Sequence, residues 1–336
     1  MDETQSARLT GTTKVVNVPI QNKTDTRAGR PSELSSEDKL VEGLRVTSTN
    51  DISTPQQCYV LKDAPGKGMG MFATRDIKRG ECILSEKPLV FATQNLIKTQ
   101  RAIDAMNELD KQSFFALHNI HFDVPTALGI VRTNALPLGA DAVDCAVYKV
   151  MSRINHGCLP NVHHTWNPKT KKEYLHAIQD IAAGSEILTS YLEPFLVRED
   201  RIKTLRKNFK FECHCDLCAT PSPEYDTTVK RIKICSDLIM TCASSNPKKS
   251  IQFVREVLAL LDKIGGEGKT PFYYDGYQIS AMYGDYTLAQ EWANLLLESY
   301  ILDEGEEGEK YERYLKYSKN PRSHERAGCA PRQILS

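Results

Sequence analysis

At 336 residues, with 43 basic and 43 acidic side chains, the chain is long enough for one large domain plus an accessory region, or for two domains, and carries no net formal charge. Without a global field to hold nucleic acid or an anionic membrane, no direct nucleic-acid partner is expected. No apolar run reaches the roughly 18 residues of a membrane span, and Met1–Ser6 lacks a basic-then-apolar signal, so no membrane association is expected and the location expected is nuclear and/or cytoplasmic.

Residues 1–55 contain no Phe, Trp, Tyr or Cys and are rich in small polar and charged types, which predicts a disordered leader. Order is expected to begin at a short strand near Cys58-Tyr59-Val60-Leu61. The glycine loop Gly66-Lys67-Gly68-Met69-Gly70 follows, and Met71-Phe72-Ala73 and Cys82-Ile83-Leu84 flank the turn Lys78-Arg79-Gly80-Glu81. Strand, not amphipathic helix, follows the glycines, so they are not a dinucleotide fingerprint. From about 94 to 130 the spacing of Ile97, Ile103, Met106, Leu109 and Phe114-Phe115 predicts a helical insert. Strand-like, turn-broken sequence returns over 147–165 and 174–187, so the middle of the chain is expected to be mainly β.

Beyond Cys218, Thr220-Pro221-Ser222-Pro223 reads as a linker into a helical region over 219–336. Ile251, Val254, Leu258, Leu261 and Ile264 mark one apolar helix face, ended by Gly265-Gly266. Ala281–Tyr286 with Ala289 and Ala293 is similar to a tetratricopeptide-type hairpin, although no repeat of about 34 residues is evident. The polar tail from Lys316 is expected to fray.

Cys213, Cys215 and Cys218 form a C-x-C-x-x-C run that begins 22 residues after Tyr191. Three thiolates so close can converge on one tetrahedral ion but leave one position open. Cys158 is the best candidate for it, because it lies in the polar, turn-rich stretch Arg153–Asn161, with Cys235 or Cys242 next. A redox or copper site is the alternative; an all-thiolate closed shell favours structural zinc over catalytic metal. The other six of the ten cysteines, Cys58, Cys82, Cys145, Cys235, Cys242 and Cys329, read as small buried hydrophobes in a reducing compartment.

The order N-H-x-C-x-P-N over 155–161, G-x-E-I-x-x-x-Y over 184–191 and then C-x-C-x-x-C resembles the SET-domain lysine methyltransferases, with residues 56–218 similar to one SET plus post-SET unit. The pattern is most similar to the SMYD type. Its MYND finger belongs near 90–130, where no Cys/His cluster stands, so the chain resembles a MYND-less member. The resemblance implies an α+β protein: a mainly β SET fold with knot-like C-terminal threading, a helical insert, a zinc-bound post-SET segment and a helical C-terminal region. It implies S-adenosylmethionine as cofactor, a lysine-bearing protein as substrate, structural Zn²⁺ on Cys158, Cys213, Cys215 and Cys218, and the C-terminal helices as the surface for protein partners.

Residue by residue, the resemblance puts Tyr191 at the reaction centre and at the lysine channel, with Phe209 lining that channel. Lys67, Gly68, Met69, Asn134, Ser152, Asn155, His156 and Phe211 would bind cofactor. Gly157 departs from the serine usual in the family. Two other functions fit the same residues: a silent SET scaffold that binds partners, and a SET fold turned to a small-molecule substrate.

Overall fold

Short apolar runs broken by Gly and Pro build three small sheets, and the computed structural model describes them within residues 57–139, 142–265 and 267–336. The leader expected over 1–55 lies outside the described residues. β1 (Tyr59–Ala64) and β2 (Gly68–Ala73) pair antiparallel, from Tyr59 opposite Ala73 to Ala64 opposite Gly68. The turn between them needs Gly66 and Gly68, both at φ +74°, where a side chain would be strained. β10 (Glu186–Thr189) adds antiparallel to β2, and β7 (Asn155–His156) adds parallel to β10, giving the order β1-β2-β10-β7. A second sheet orders β3 (Cys82–Glu86), β9 (Lys172–Ala177) and β8 (Val162–Asn167) as β3-β9-β8. The third orders β4 (Val90–Ala92), β6 (Cys145–Val147) and β5 (Leu136–Pro137) as β4-β6-β5.

Met71–Ala73 and Cys82–Leu84 flank a turn yet are not hairpin partners, because the chain between them changes sheets. Ile77 and Ile181 exchange backbone hydrogen bonds at 2.9 Å, Gly80 N donates to Ala177 O at 2.7 Å, and Gly184 N donates to Ala73 O at 2.8 Å. The segment is thereby paired with 177–184, and β2 and β3 diverge. Met71, Tyr148, Ile154, Leu175 and Ile187 fill the core beneath the sheets.

The insert is helical: α1 (Leu96–Asp104), α2 (Glu108–Phe115) and α3 (Thr126–Asn134). Asn95 and Asn107 accept from Lys98 N and Asp110 N and so satisfy first-turn amides of α1 and α2. Ile103, Phe114 and Ile130 pack with Val90 and Val147, whereas Ile97, Leu109 and Phe115 of the same apolar pattern face solvent. α3 runs through Gly129 instead of stopping near 130. A Cβ there would stand 2.5 Å from Asn119 Oδ1 and His121 O, so the glycine serves a close approach of the preceding loop.

The C-terminal region is α5 (Asp216–Ala219), α6 (Pro223–Ala243), α7 (Pro247–Lys263), α8 (Thr270–Met282), α9 (Tyr286–Glu304) and α10 (Tyr311–Lys319). Ser222, Asn246 and Asp285 cap α6, α7 and α9, so the Pro-bearing linker joins the C-cap of α5 at Thr220 to the N-cap of α6 at Ser222. On α7, Ile251, Val254, Val257 and Leu261 are buried, while Leu258 and Ile264 are only half-buried. The tail does not fray. Tyr317 and Leu335 fill holes beside α8 and α9, Gln333 N donates to Tyr283 O at 2.9 Å and Leu335 N to Asp285 Oδ2 at 2.7 Å. Cys58, Cys145 and Cys235 are buried as expected, whereas Cys82 and Cys242 are half-buried and Cys329 is exposed.

The helices close on the second sheet: Asn167 Nδ2 donates to Glu307 O at 2.5 Å, and Arg79 meets Asp303 at 3.4 Å. No helix among the described residues is long and apolar enough to cross a membrane.

Candidate active site and metal centre

The sulfurs of Cys158, Cys213, Cys215 and Cys218 all lie within 4.8 Å of one another. Cys158 Sγ is 3.9 Å from Cys213 Sγ and 3.4 Å from Cys218 Sγ, distances that bracket the edge of about 3.8 Å expected of a tetrahedron with Zn–S near 2.3 Å. Four thiolates so placed need a dication to offset them, and the soft, closed donor set fits zinc. The intervening His214 is exposed.

Two arginines hold the cysteine loop. α4 (Arg198–Thr204) leads into a wide helical turn, Leu205–Phe209, that ends at Lys210 with φ +60° and redirects the chain toward Cys213. From α4, Arg198 Nε donates to Cys218 O at 2.8 Å, and the buried Arg201 donates to Leu217 O at 3.1 Å and Leu196 O at 2.7 Å. Charged donors on carbonyls of this loop fix its path. Neither arginine belongs to the motifs, and nothing local in the sequence points to them.

Tyr191 follows β10 and is held at both ends. Its hydroxyl donates to Ile154 O at 2.7 Å and its backbone N–H donates to His156 Nδ1 at 3.1 Å. Its ring lies 5.1 Å from that of Phe209, 5.3 Å from His156 and 6.5 Å from Phe211, so the expected aromatic wall assembles around it. Burial, and then the Glu186 carboxylate, push the phenol above its ordinary value, so it stays protonated at neutral pH and is no base. His156 has its imidazole engaged within the protein, Nε2 standing 3.2 Å from Cys158 Sγ.

Lys67, Asn155 and Glu186 form a polar cluster. Lys67 Nζ meets Glu186 Oε2 at 2.7 Å and Asn155 Nδ2 donates to Glu186 Oε1 at 2.8 Å and to Met69 O at 3.3 Å. Glu186 was legible only as a motif letter, yet it ties the glycine loop to the Asn-His turn. Gly70 makes room for it: a Cβ would stand 2.8 Å from Glu186 Oε1, 2.9 Å from Asn155 Nδ2 and 3.0 Å from Ala64 Cβ. Gly70→Ala is expected to destabilise the protein by about 1–3 kcal/mol through overpacking, and thermal unfolding of the variant checks it; an unchanged midpoint would mean that the cluster yields freely.

Gly68 and Met69 lie beside this cluster at the start of β2, with Met69 exposed. Asn134 and Ser152 are buried and bonded together: Ser152 Oγ donates to Asn134 O at 3.0 Å, and Asn134 Nδ2 donates to His118 O and Ile130 O. These contacts brace the insert against the 3₁₀ turn Met151–Arg153. At Gly157 a Cβ would meet Leu188 at 3.1 Å and Leu159 O at 3.2 Å, so the departure from serine coincides with close packing on β10.

Residues 68–192 match the SET domain. Over 282 residues the chain is 30% identical to the histone-lysine N-methyltransferase set5 of Schizosaccharomyces pombe, covering 82% of this chain and 88% of that protein. It is 27% identical over 162 residues to the histone-lysine N-methyltransferase SMYD1 of Homo sapiens, covering 42% of this chain and 30% of that protein. With the N-lysine methyltransferase SMYD2-A of Xenopus laevis it shares 24% identity over 216 residues, 56% of this chain and 50% of that protein. The matches thus span most of the yeast protein and half or less of the two SMYD proteins.

Proposed function

The chain belongs to the SET-domain protein-lysine methyltransferases, and on that premise we propose that it transfers methyl groups from S-adenosylmethionine to lysine side chains of a protein, histone or not. The observation that carries this reading is Tyr191, anchored at hydroxyl and amide inside an aromatic wall that the cysteine loop closes. The residues beside it suit the cofactor: Lys67 and Glu186 offer both signs to a zwitterionic amino-acid end, Asn155 its amide, and Phe211 a ring for adenine. Gly68, Met69 and the His156 main chain border the same space, and Asn134 and Ser152 act from behind as supports. When bound, the cofactor supplies a methyl carbon made electrophilic by its sulfonium.

Alignment and exclusion of water are then the protein's part. Tyr191 and the aromatic wall would hold the lysine nitrogen in line with the methyl carbon, so that the new carbon–nitrogen bond could form as the carbon–sulfur bond breaks. Tyr191, with its proton committed to Ile154 O, presents oxygen to the amine. Free lysine has a pKa near 10.4, so about one part in 2,500 is neutral at pH 7. Burial among Tyr191 and Phe209 disfavours the ammonium and lowers that value, so turnover is expected to rise with pH until the bound lysine's pKa is passed.

Glu186→Gln removes one sign of the pair without altering its shape. The Lys67–Glu186 bond is half exposed on the lysine side, so the stability loss should stay below about 1 kcal/mol. Cofactor affinity should fall about tenfold, about 1.4 kcal/mol; calorimetric titration of the variant measures it, and undiminished binding would remove Glu186 from the cofactor site.

The finer reading of the fold is a knot-like threading of the strand before Tyr191, supported by β7 lying parallel to β10 with Gly157 N on Thr189 O at 2.8 Å. The post-SET segment carries structural zinc, and three helices occupy the place of a MYND finger. SET plus post-SET occupies 56–218, and the helices of 219–336 serve protein partners, in nucleus, cytoplasm or both.

Methyl-tritiated cofactor incubated with the protein and a cell extract tests this reading. Label on protein lysine supports it; label confined to small molecules overturns it. Phe209 lacks the hydroxyl that would pin a methylated amine, so wild type should proceed beyond monomethyllysine. Phe209→Tyr should shift the product toward monomethyl, as read by mass spectrometry; strictly monomethyl product from wild type would contradict this.

A further inference from the structure

Both nitrogens of His156 are spoken for inside the protein. Nδ1 accepts the Tyr191 backbone N–H at 3.1 Å, and Nε2 stands 3.2 Å from Cys158 Sγ. A backbone amide can only donate, so Nδ1 is the bare nitrogen. The ring proton therefore sits on Nε2 and points at the sulfur. The imidazole is 6% exposed, with its ring 5.3 Å from Tyr191 and 6.0 Å from Phe211.

We propose that His156 is a positioning residue that joins the metal centre to the reaction centre, its Nε2–H on the Cys158 sulfur and its Nδ1 on the Tyr191 amide. One ring thereby sets the position of the tyrosine main chain from the position of a thiolate two residues along the chain. The contact to sulfur orients a metal ligand, in the way hydrogen bonds around a metal's own ligands tune affinity. The contact to Tyr191 fixes one of its anchors, another being its hydroxyl on Ile154 O. This inference rests on the reading of Tyr191 and the cysteines given above.

Three replacements separate the two contacts. In His156→Asn the side-chain carbonyl can stand where Nδ1 stands, but nothing reaches the sulfur. In His156→Gln the terminal amide can reach the sulfur without replacing Nδ1. His156→Leu keeps bulk and loses both. The leucine variant should lower kcat about 10- to 100-fold with the KM for cofactor within about threefold, and should speed zinc loss to a chelator about tenfold. The asparagine variant should recover most of kcat while zinc still leaves fast; the glutamine variant should show the reverse.

Identical behaviour of the asparagine and glutamine variants in both readouts would overturn the coupling. So would ¹⁵N spectra of the zinc-loaded wild type that place the ring proton on Nδ1, a measurement that survives any failure of a variant to fold. Spectra and zinc release need no methyl transfer, so failure of the proposed activity and failure of the coupling remain distinguishable.

Discussion

Tyr191→Phe is expected to lower turnover roughly 100-fold, about 2.7 kcal/mol of transition-state stabilisation at 1.36 kcal/mol per decade, while cofactor affinity stays within a few-fold. The hydroxyl donates to Ile154 O at 2.7 Å, so the replacement removes one of the ring's anchors and the oxygen proposed to face the amine. Stability should change far less, because a single hydrogen bond contributes only about 0.5–1.5 kcal/mol net. The ring remains, and with it the packing on His156 and Phe209. Steady-state kinetics with a cofactor titration on the same protein check the split. Unchanged turnover would remove Tyr191 from the chemistry.

Cys158→Ser should have the other large effect, because it takes one of four sulfurs from a centre that spans distant parts of the chain. Structural zinc supplies roughly 10–16 kcal/mol in small domains, about 3 kcal/mol per ligand if shared evenly, so affinity should drop at least about a hundredfold. Loss of metal should loosen the loop that carries Cys213, Cys215 and Cys218 and, through it, Phe209 and Phe211. Metal analysis after dialysis, together with proteolysis across 205–220, reports both. Full retention of one zinc per chain would contradict the assignment and turn attention to other ligands. The buried Cys235, in the core between the C-terminal helices, is not among the converging sulfurs.

Legibility in the sequence followed how many reasons a residue type has for being where it is. A C-x-C-x-x-C run in a polar stretch has few purposes besides metal, and its fourth partner stood out because Cys158 lies in a turn, not a core. Glu186 was far less legible: a half-buried carboxylate on a strand is ordinary, and only the meeting of β2, β7 and β10 gives it Lys67 and Asn155. Turn signals at Lys78–Glu81 marked a reversal but could not say which strand the chain joins next. The polar tail looked loose because its apolar residues are sparse, yet Tyr317 and Leu335 fit holes that exist only once α8 and α9 have packed. Asn134 and Ser152 show the converse, side chains of a recognisable pattern whose contacts in this chain are with buried backbone.

The most direct test of the central claim is lysine methylation by the purified protein itself. Wild type and Tyr191→Phe, each shown to hold one zinc, are incubated with methyl-tritiated S-adenosylmethionine and cell proteins, and labelled residues are identified by mass spectrometry. Methylated lysines that require Tyr191 are predicted; equal labelling by both proteins, or no labelled lysine with fully zinc-loaded wild type, would contradict the account.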